Sequence, residues 1–236
     1  MDTLVIIPAL DEAQRLPGVL AGIRGVDPSL TILVVDDGSR DGTPQAARAA
    51  GARVAVHPFN LGYGAALQTG YRFAVANGFG LVIQMDADGQ HDPRSIPAIR
   101  AACLEGADLV LGSRFLGSGS YRPPRMRAIG IHLFGWLASR LLGQRIRDAT
   151  TGYQGLSARL CAFHARSHSF PHDYPDANMI VRAGRAGFRI TEVPVLMRAD
   201  PQGGKLHVGL KPIAYVLKML VAVALEASRR RAAGEE

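Results

Sequence analysis

The chain has 236 residues, of which 47% are hydrophobic and 20% charged; this excludes a disordered or fibrous chain and is long enough for one sizeable core. Net charge is +7 and the pI is near 9.9, but the basic excess falls late and is not interleaved with aromatic residues, so no nucleic-acid partner is expected. Cys103 and Cys161 form no disulfide framework or metal-ligand spacing, and the first residues carry no basic leader; a cytoplasmic protein is expected.

Taken in chain order, β-rich runs at Thr3–Ile7, Thr31–Asp36, Arg53–His57, Leu81–Met85 and Asp108–Gly112 alternate with helical patterns at Asp11–Ile23, Thr43–Ala50, Gly62–Asn77 and Arg94–Cys103. That alternation predicts an α/β fold, a mostly parallel twisted sheet flanked by helices. Asp41 or Thr43 would cap the second helix. Residues 114–124, rich in Gly, Ser and Pro, read as a loop. Helices at Arg125–Leu142 and Asp176–Ala186, a strand at Arg189–Val195, a Gly-containing stretch at 198–207 and a last apolar helix from Lys211 to about Arg230 complete the chain. No linker divides it: residues 1–207 and the terminal helix segment 208–236 are expected to form a single domain.

Ligands of open α/β sheets bind beyond the carboxyl ends of the strands. Three signals fall at such ends: Pro8-Ala9-Leu10-Asp11-Glu12, Asp36-Asp37-Gly38-Ser39, and Asp86-Ala87-Asp88. A lone D-x-D is more often a solvated turn, but three acidic segments on one sheet edge call for a ligand. If the extended path continued through Asp88, residues two apart would point the same way and both carboxylates would converge. Like charges held together need a cation or strong donors between them, and hard oxygen ligands suit Mg²⁺ or Mn²⁺ with substrate phosphates completing the shell. The small residues of "NLGYGAALQTG" (60–70) lack the Gly-Lys-Ser/Thr ending of a Walker loop; close approach to a ligand and close helix–sheet packing both explain them. Asp92, followed by Pro93, reads as a helix cap outside the chemistry.

"VIIPALDE", "VVDDGSRDGT", "NLGYGAALQTG", "QMDADGQHDP", "LGSRF" and "DATTGYQGLS", in this order, resemble the family 2 glycosyltransferases of GT-A fold, and among them the dolichol- and polyprenyl-phosphate sugar synthases. The resemblance implies that Pro8, Ala9 and Glu12 line the nucleotide of a nucleoside diphosphate sugar and that Asp37 bonds its base. It places Asp86 at the ribose side and the metal, Asp88 on the metal, and Gln90 as a secondary metal or phosphate contact. Arg114 and Arg127 match positions that hold a polyprenyl phosphate acceptor, work suited to a bidentate guanidinium; exposure on its helix is the plain alternative for Arg127. Asp148, then Asp176, would supply a general base if the acceptor were a hydroxyl, Asp176 having helix capping as its alternative. Lys205 and His207 would close over the diphosphate or stand in solvent. The chain departs from the pattern at Tyr63, where many lipid-phosphate synthases carry a basic residue, and at Asn178, near which they often have a glutamate. The rival readings are a transferase acting on a small-molecule or polysaccharide hydroxyl, and a silent nucleotide-sugar-binding partner protein.

The apolar run Ile213–Leu225 is interrupted by Lys218 and is short of the roughly 20 residues that span a bilayer. Flanked by Lys211 and Arg229–Arg231, this helix is expected either at an anionic membrane surface, making the protein peripheral on the cytoplasmic face, or at a core or homo-oligomer interface.

Overall fold

The computed structural model describes residues 2–116, 125–173, 175–198 and 211–228, with backbone only for 125–127 and 211–215. The strands are β1 (Thr3–Ala9), β2 (Thr31–Asp36), β3 (Arg53–Val56), β4 (Leu81–Gln84), β5 (Leu109–Ser113), β6 (Gln154–Ser157) and β7 (Ile190–Pro194). The helices are α1 (Leu16–Val26), α2 (Thr43–Ala49), α3 (Tyr63–Ala76), α4 (Ile96–Leu104), α5 (Arg125–Leu142), α6 (Ala158–Arg166), α7 (Ala177–Arg185) and α8 (Lys211–Ser228). One seven-stranded sheet runs in the order β3-β2-β1-β4-β6-β5-β7, all parallel except β6, which is antiparallel to both neighbours.

β1 shows why the run Leu4-Val5-Ile6-Ile7 is a strand. Every residue of it is buried, because a central parallel strand is covered on both faces. Leu4 and Ile6 enter one core with residues of α3, α5, α6, α7 and α8; Val5 and Ile7 enter the other, with α1, α2 and α4. α3 lies so close that a Cβ on Gly70 would stand 2.5 Å from Ile6 Cγ2, so Gly70 of "NLGYGAALQTG" serves packing.

Five expectations are corrected. α1 begins at Leu16 and not at Asp11: Asp11 has φ +56°, outside the right-handed helical region, and the segment is tied to the next loop, Asp11 N donating to Ser39 Oγ, Glu12 N to Thr43 Oγ1 and Ala13 N to Asp41 Oδ2. β6 and α6 were not expected from "YQGLSARLCAFHAR"; Gly155 sits in β6 because a Cβ there would stand 2.5 Å from Ile99 Cγ2 of α4. The chain does not run extended through Asp88; it leaves β4 at Gln84, and Ala87 and Asp88 lie in a turn before Gly89 (φ +79°). Asp176 stands at the N-cap of α7, but its side chain takes no capping bond from that helix.

Asp92 accepts from Arg94 N, as a cap should, and the Arg94 guanidinium holds its carboxyl down to about 2. The N-cap of α2 is Gly42 and not Asp41 or Thr43, though Asp41, one residue earlier, accepts from Thr43 N.

Candidate active site

Because β1, β2, β4 and β5 run in the same direction, their carboxyl ends share one edge. Ala9 pairs with Asp36 across β1 and β2, and Asp37 N donates to Ala9 O. Asp11 Oδ1 accepts from Arg40 N, so the loops after β1 and β2 are stitched into one wall. Glu12 is paired with Arg15 at 3.1 Å within it.

The two aspartates after β2 differ. Asp37 is held from inside: His57 Nδ1 and Leu61 N meet Oδ1 at 2.7 and 2.9 Å, and Gly62 N meets Oδ2 at 2.9 Å. Asp36 is 1% exposed, accepts from Ser39 N on Oδ2, and its buried Oδ1 has no hydrogen-bond partner among the described residues. A buried acceptor without a donor is costly, which makes Asp36 the less satisfied of the two, whereas Asp37 Oδ2 holds one bond and retains acceptor capacity.

After β4, Asp86 Oδ1 accepts from Tyr63 Oη at 2.8 Å, and Tyr63 Oη accepts from Gln84 Nε2 at 3.3 Å. Asp86 N donates to His91 Nδ1 at 3.0 Å, which puts the proton of a neutral His91 ring on Nε2, 3.5 Å from Asp86 Oδ2. His91 stacks on Tyr153 with ring centroids 4.8 Å apart. Gly152 leaves room beside this group, since a Cβ there would stand 3.1 Å from Asp86 Oδ2. Asp88 accepts from Gln90 N and Gln90 Nε2, at 2.8 and 2.7 Å. Burial, and then the charge of Asp86, push the Asp88 carboxyl above the ordinary carboxylate range.

That donor set fits a divalent cation. Two acidic side chains stand close enough for one to raise the other, and hard oxygen is what Mg²⁺ and Mn²⁺ take. Among the described residues no group of three or more His, Cys, Asp or Glu could hold an ion, so ligand oxygens would have to complete the shell.

At the end of β5, Arg114 and Asp148 meet each other. Arg114 Nε and Nη2 donate to the two Asp148 oxygens at 2.7 and 2.6 Å, and Arg114 N adds a third bond at 3.1 Å. Asp148 is 0% exposed and Arg114 5%. Glu192 of β7 accepts from the N–H groups of Arg147 and Asp148 and so fixes this segment. The structure therefore brings Pro8, Ala9, Glu12, Asp86, Asp88 and Gln90 to one edge and sets Asp148 inside, on Arg114. The side chain of Arg127, and Lys205 and His207 altogether, lie outside the described residues. A cavity of about 430 Å³ lined by Pro171, His172, Asp173, Asn178, Lys218, Met219 and Ala222 flanks the start of α3, where Gly64 N donates to His172 O.

This sheet order is that of the GT-A fold. The family model described as "Glycosyl transferase family 2" matches residues 4–164, and the chain belongs to that family. It is 34% identical over 206 residues to the polyprenol monophosphomannose synthase of Mycolicibacterium smegmatis, covering 82% of this chain and 76% of that protein. To the undecaprenyl-phosphate mannosyltransferase of Micrococcus luteus it is 35% identical over 208 residues, covering 83% of each. A solved structure of glucosyl-3-phosphoglycerate synthase from Mycobacterium tuberculosis, in complex with Mn²⁺, uridine-diphosphate-glucose and phosphoglyceric acid, matches with a TM-score of 0.72 at 22% identity. That match covers 98% of this chain and 81% of the other, and establishes the fold alone.

Proposed function

We propose that this glycosyltransferase moves a hexose from a uridine- or guanosine-diphosphate sugar to a polyprenyl phosphate, with inversion and with a divalent cation. The observation that carries the reading is the Asp86–Asp88 pair, whose raised Asp88 carboxyl favours a cation at that edge. The names of the two curated relatives supply the acceptor class. Asp88 and Asp86 would hold the metal, which when bound counters the negative charge growing on the departing nucleoside diphosphate.

Pro8, Ala9 and Glu12 form the nucleotide wall, and Asp37, whose Oδ2 accepts a single bond from Gly62 N and retains acceptor capacity, bonds the base. Gln90 acts through Asp88, orienting it. A phosphate monoester, with a second pKa of roughly 6, brings its own anionic oxygen and needs no base. That oxygen bonds to the anomeric carbon as the bond to the diphosphate breaks. The buried Asp148 accords with such an acceptor: it positions Arg114, and Arg127 takes the acceptor phosphate. Lys205 closes on the donor diphosphate.

Crossing UDP- and GDP-sugars with acceptors in Mn²⁺ or Mg²⁺ tests this. Nucleoside diphosphate release is expected with polyprenyl phosphate and is expected to stop with a chelator. Release that requires a hydroxyl acceptor would replace the proposal with the small-molecule reading.

We further propose that the protein attaches to an anionic lipid surface. Among the described residues no helix is long and apolar enough to cross a membrane. Leu217, Val221 and Leu225 of α8, and Ile129 and Trp136 of α5, are exposed by 59–65%, while Met219 and Val223, and Phe134 and Ala138, turn those two helices into the same core. Residues 114–147 and 201–225 contain no acidic residue, and beside them stand Asp173, paired with Lys218 at 3.9 Å, and Glu226; the excess charge of these segments is basic, so a second copy docked face to face would bring like charges together. Leu217→Asp with Val221→Asp is expected to cut binding to phosphatidylglycerol vesicles about tenfold or more, since each buried aliphatic side chain is worth about 1.5–3 kcal/mol. Undiminished vesicle binding, or a dimer that the double variant dissociates without lipid, would count against the lipid surface.

A further inference from the structure

We infer that Tyr63 is a positioning residue for Asp86, the near end of a directional hydrogen-bonded chain that runs from the core to the acidic edge. The inference rests on the reading of Asp86 as part of a metal–nucleotide site.

The direction follows from the donors. Tyr71 Oη donates to Gln84 Oε1 at 2.7 Å, which turns the amide so that Nε2 faces Tyr63 Oη. That oxygen accepts from Gln84, and its single proton goes to Asp86 Oδ1 at 2.8 Å. The far end is anchored: Tyr71 is 2% exposed and packs edge-on to Phe170 and against His164, with centroids 5.9 and 5.6 Å away. The near end is opposed by His91, whose Nδ1 takes Asp86 N and whose Nε2 faces Oδ2. Asp86 is therefore held from two sides while the space at Gly152 stays open beside it.

The chemistry of a phenol suits this position. Lysine or arginine there would neutralise Asp86, whereas a neutral donor orients the carboxylate and leaves its charge to the ligand. Residues one shell behind a metal ligand typically set affinity by about 10- to 100-fold.

The test is titration of the full-length chain with Mn²⁺ in the presence of UDP or GDP, reading free Mn²⁺ by electron paramagnetic resonance beside thermal unfolding. Tyr63→Phe keeps the ring and is expected to weaken Mn²⁺ binding about tenfold or more. Tyr71→Phe, two bonds further back, is expected to weaken it in the same direction but less. A merely structural tyrosine would lower the melting temperature and leave Mn²⁺ affinity where it was. Equal Mn²⁺ affinity in Tyr63→Phe and the native chain overturns the inference alone; a native chain that binds no Mn²⁺ with either nucleotide overturns the functional reading along with it.

Discussion

Asp88→Asn is expected to lower metal-dependent sugar transfer by about 10²-fold or more while the protein stays folded. Asparagine keeps the shape, and its single amide oxygen can accept one of the two Gln90 bonds, but it removes the charge that a cation would meet. The sign on stability runs the other way. The Asp88 carboxyl is pushed up by burial and by Asp86, so its ionised form is disfavoured in the fold, and removing that charge relieves like-charge repulsion when no metal is bound. The melting temperature without metal is therefore expected to stay level or rise. Added Mn²⁺ is expected to raise the melting temperature of the native chain and not that of the variant, because a ligand that binds only the folded state stabilises it by mass action. Native kcat/KM in Asp88→Asn at any Mn²⁺ concentration would refute the metal assignment.

The parts of this site that were legible in the sequence are those written locally. β1 and β2 are runs of buried β-branched and aliphatic residues, and the acidic segments that follow them are visible as composition at strand ends. Residues whose role depends on a distant partner were not legible. Asp36 and Asp37 are adjacent and alike in sequence; His57 and the Leu61 and Gly62 N–H groups bond to Asp37, while Asp36 Oδ1 is left without a donor among the described residues. His91 has no signal of its own in the sequence, and only the fold sets its Nδ1 on Asp86 N. β6 is four residues long, contains a glycine and has no alternation of its own, because it is buried between β4 and β5 and covered by α4. The start of α1 was misplaced because Asp11 takes a left-handed φ of +56° and the N–H groups of residues 11–13, ahead of the helix, bond across 28 to 31 residues of chain. Tyr63 gave a signal, as a departure from the pattern of the lipid-phosphate synthases, but its meaning needed the position of Gln84.

Asp148 gives the clearest separation between a structural carboxylate and a catalytic one. Asp148→Ala is expected to destabilise the fold by about 3–5 kcal/mol, because it leaves the Arg114 guanidinium buried without its counter-charge. Against a total stability of about 5–15 kcal/mol, that loss is measurable as a large drop in the urea midpoint. Arg114→Lys keeps a positive charge but not the two-pronged geometry with which Nε and Nη2 meet the carboxylate, so it is expected to fall between the native chain and Asp148→Ala. Replacing both partners with apolar residues of similar volume, Arg114→Met with Asp148→Leu, is expected to recover much of the lost stability, since the cost arises from leaving one charge alone. Activity distinguishes the roles. A general base would lose about 10²- to 10⁴-fold in kcat on Asp148→Asn with the melting temperature unchanged. A carboxylate that positions Arg114 shows the reverse order: the melting temperature falls first, and kcat measured well below the transition stays within about tenfold of native. A large loss of kcat in a fully stable Asp148→Asn would return Asp148 to the chemistry, and with it the hydroxyl acceptor.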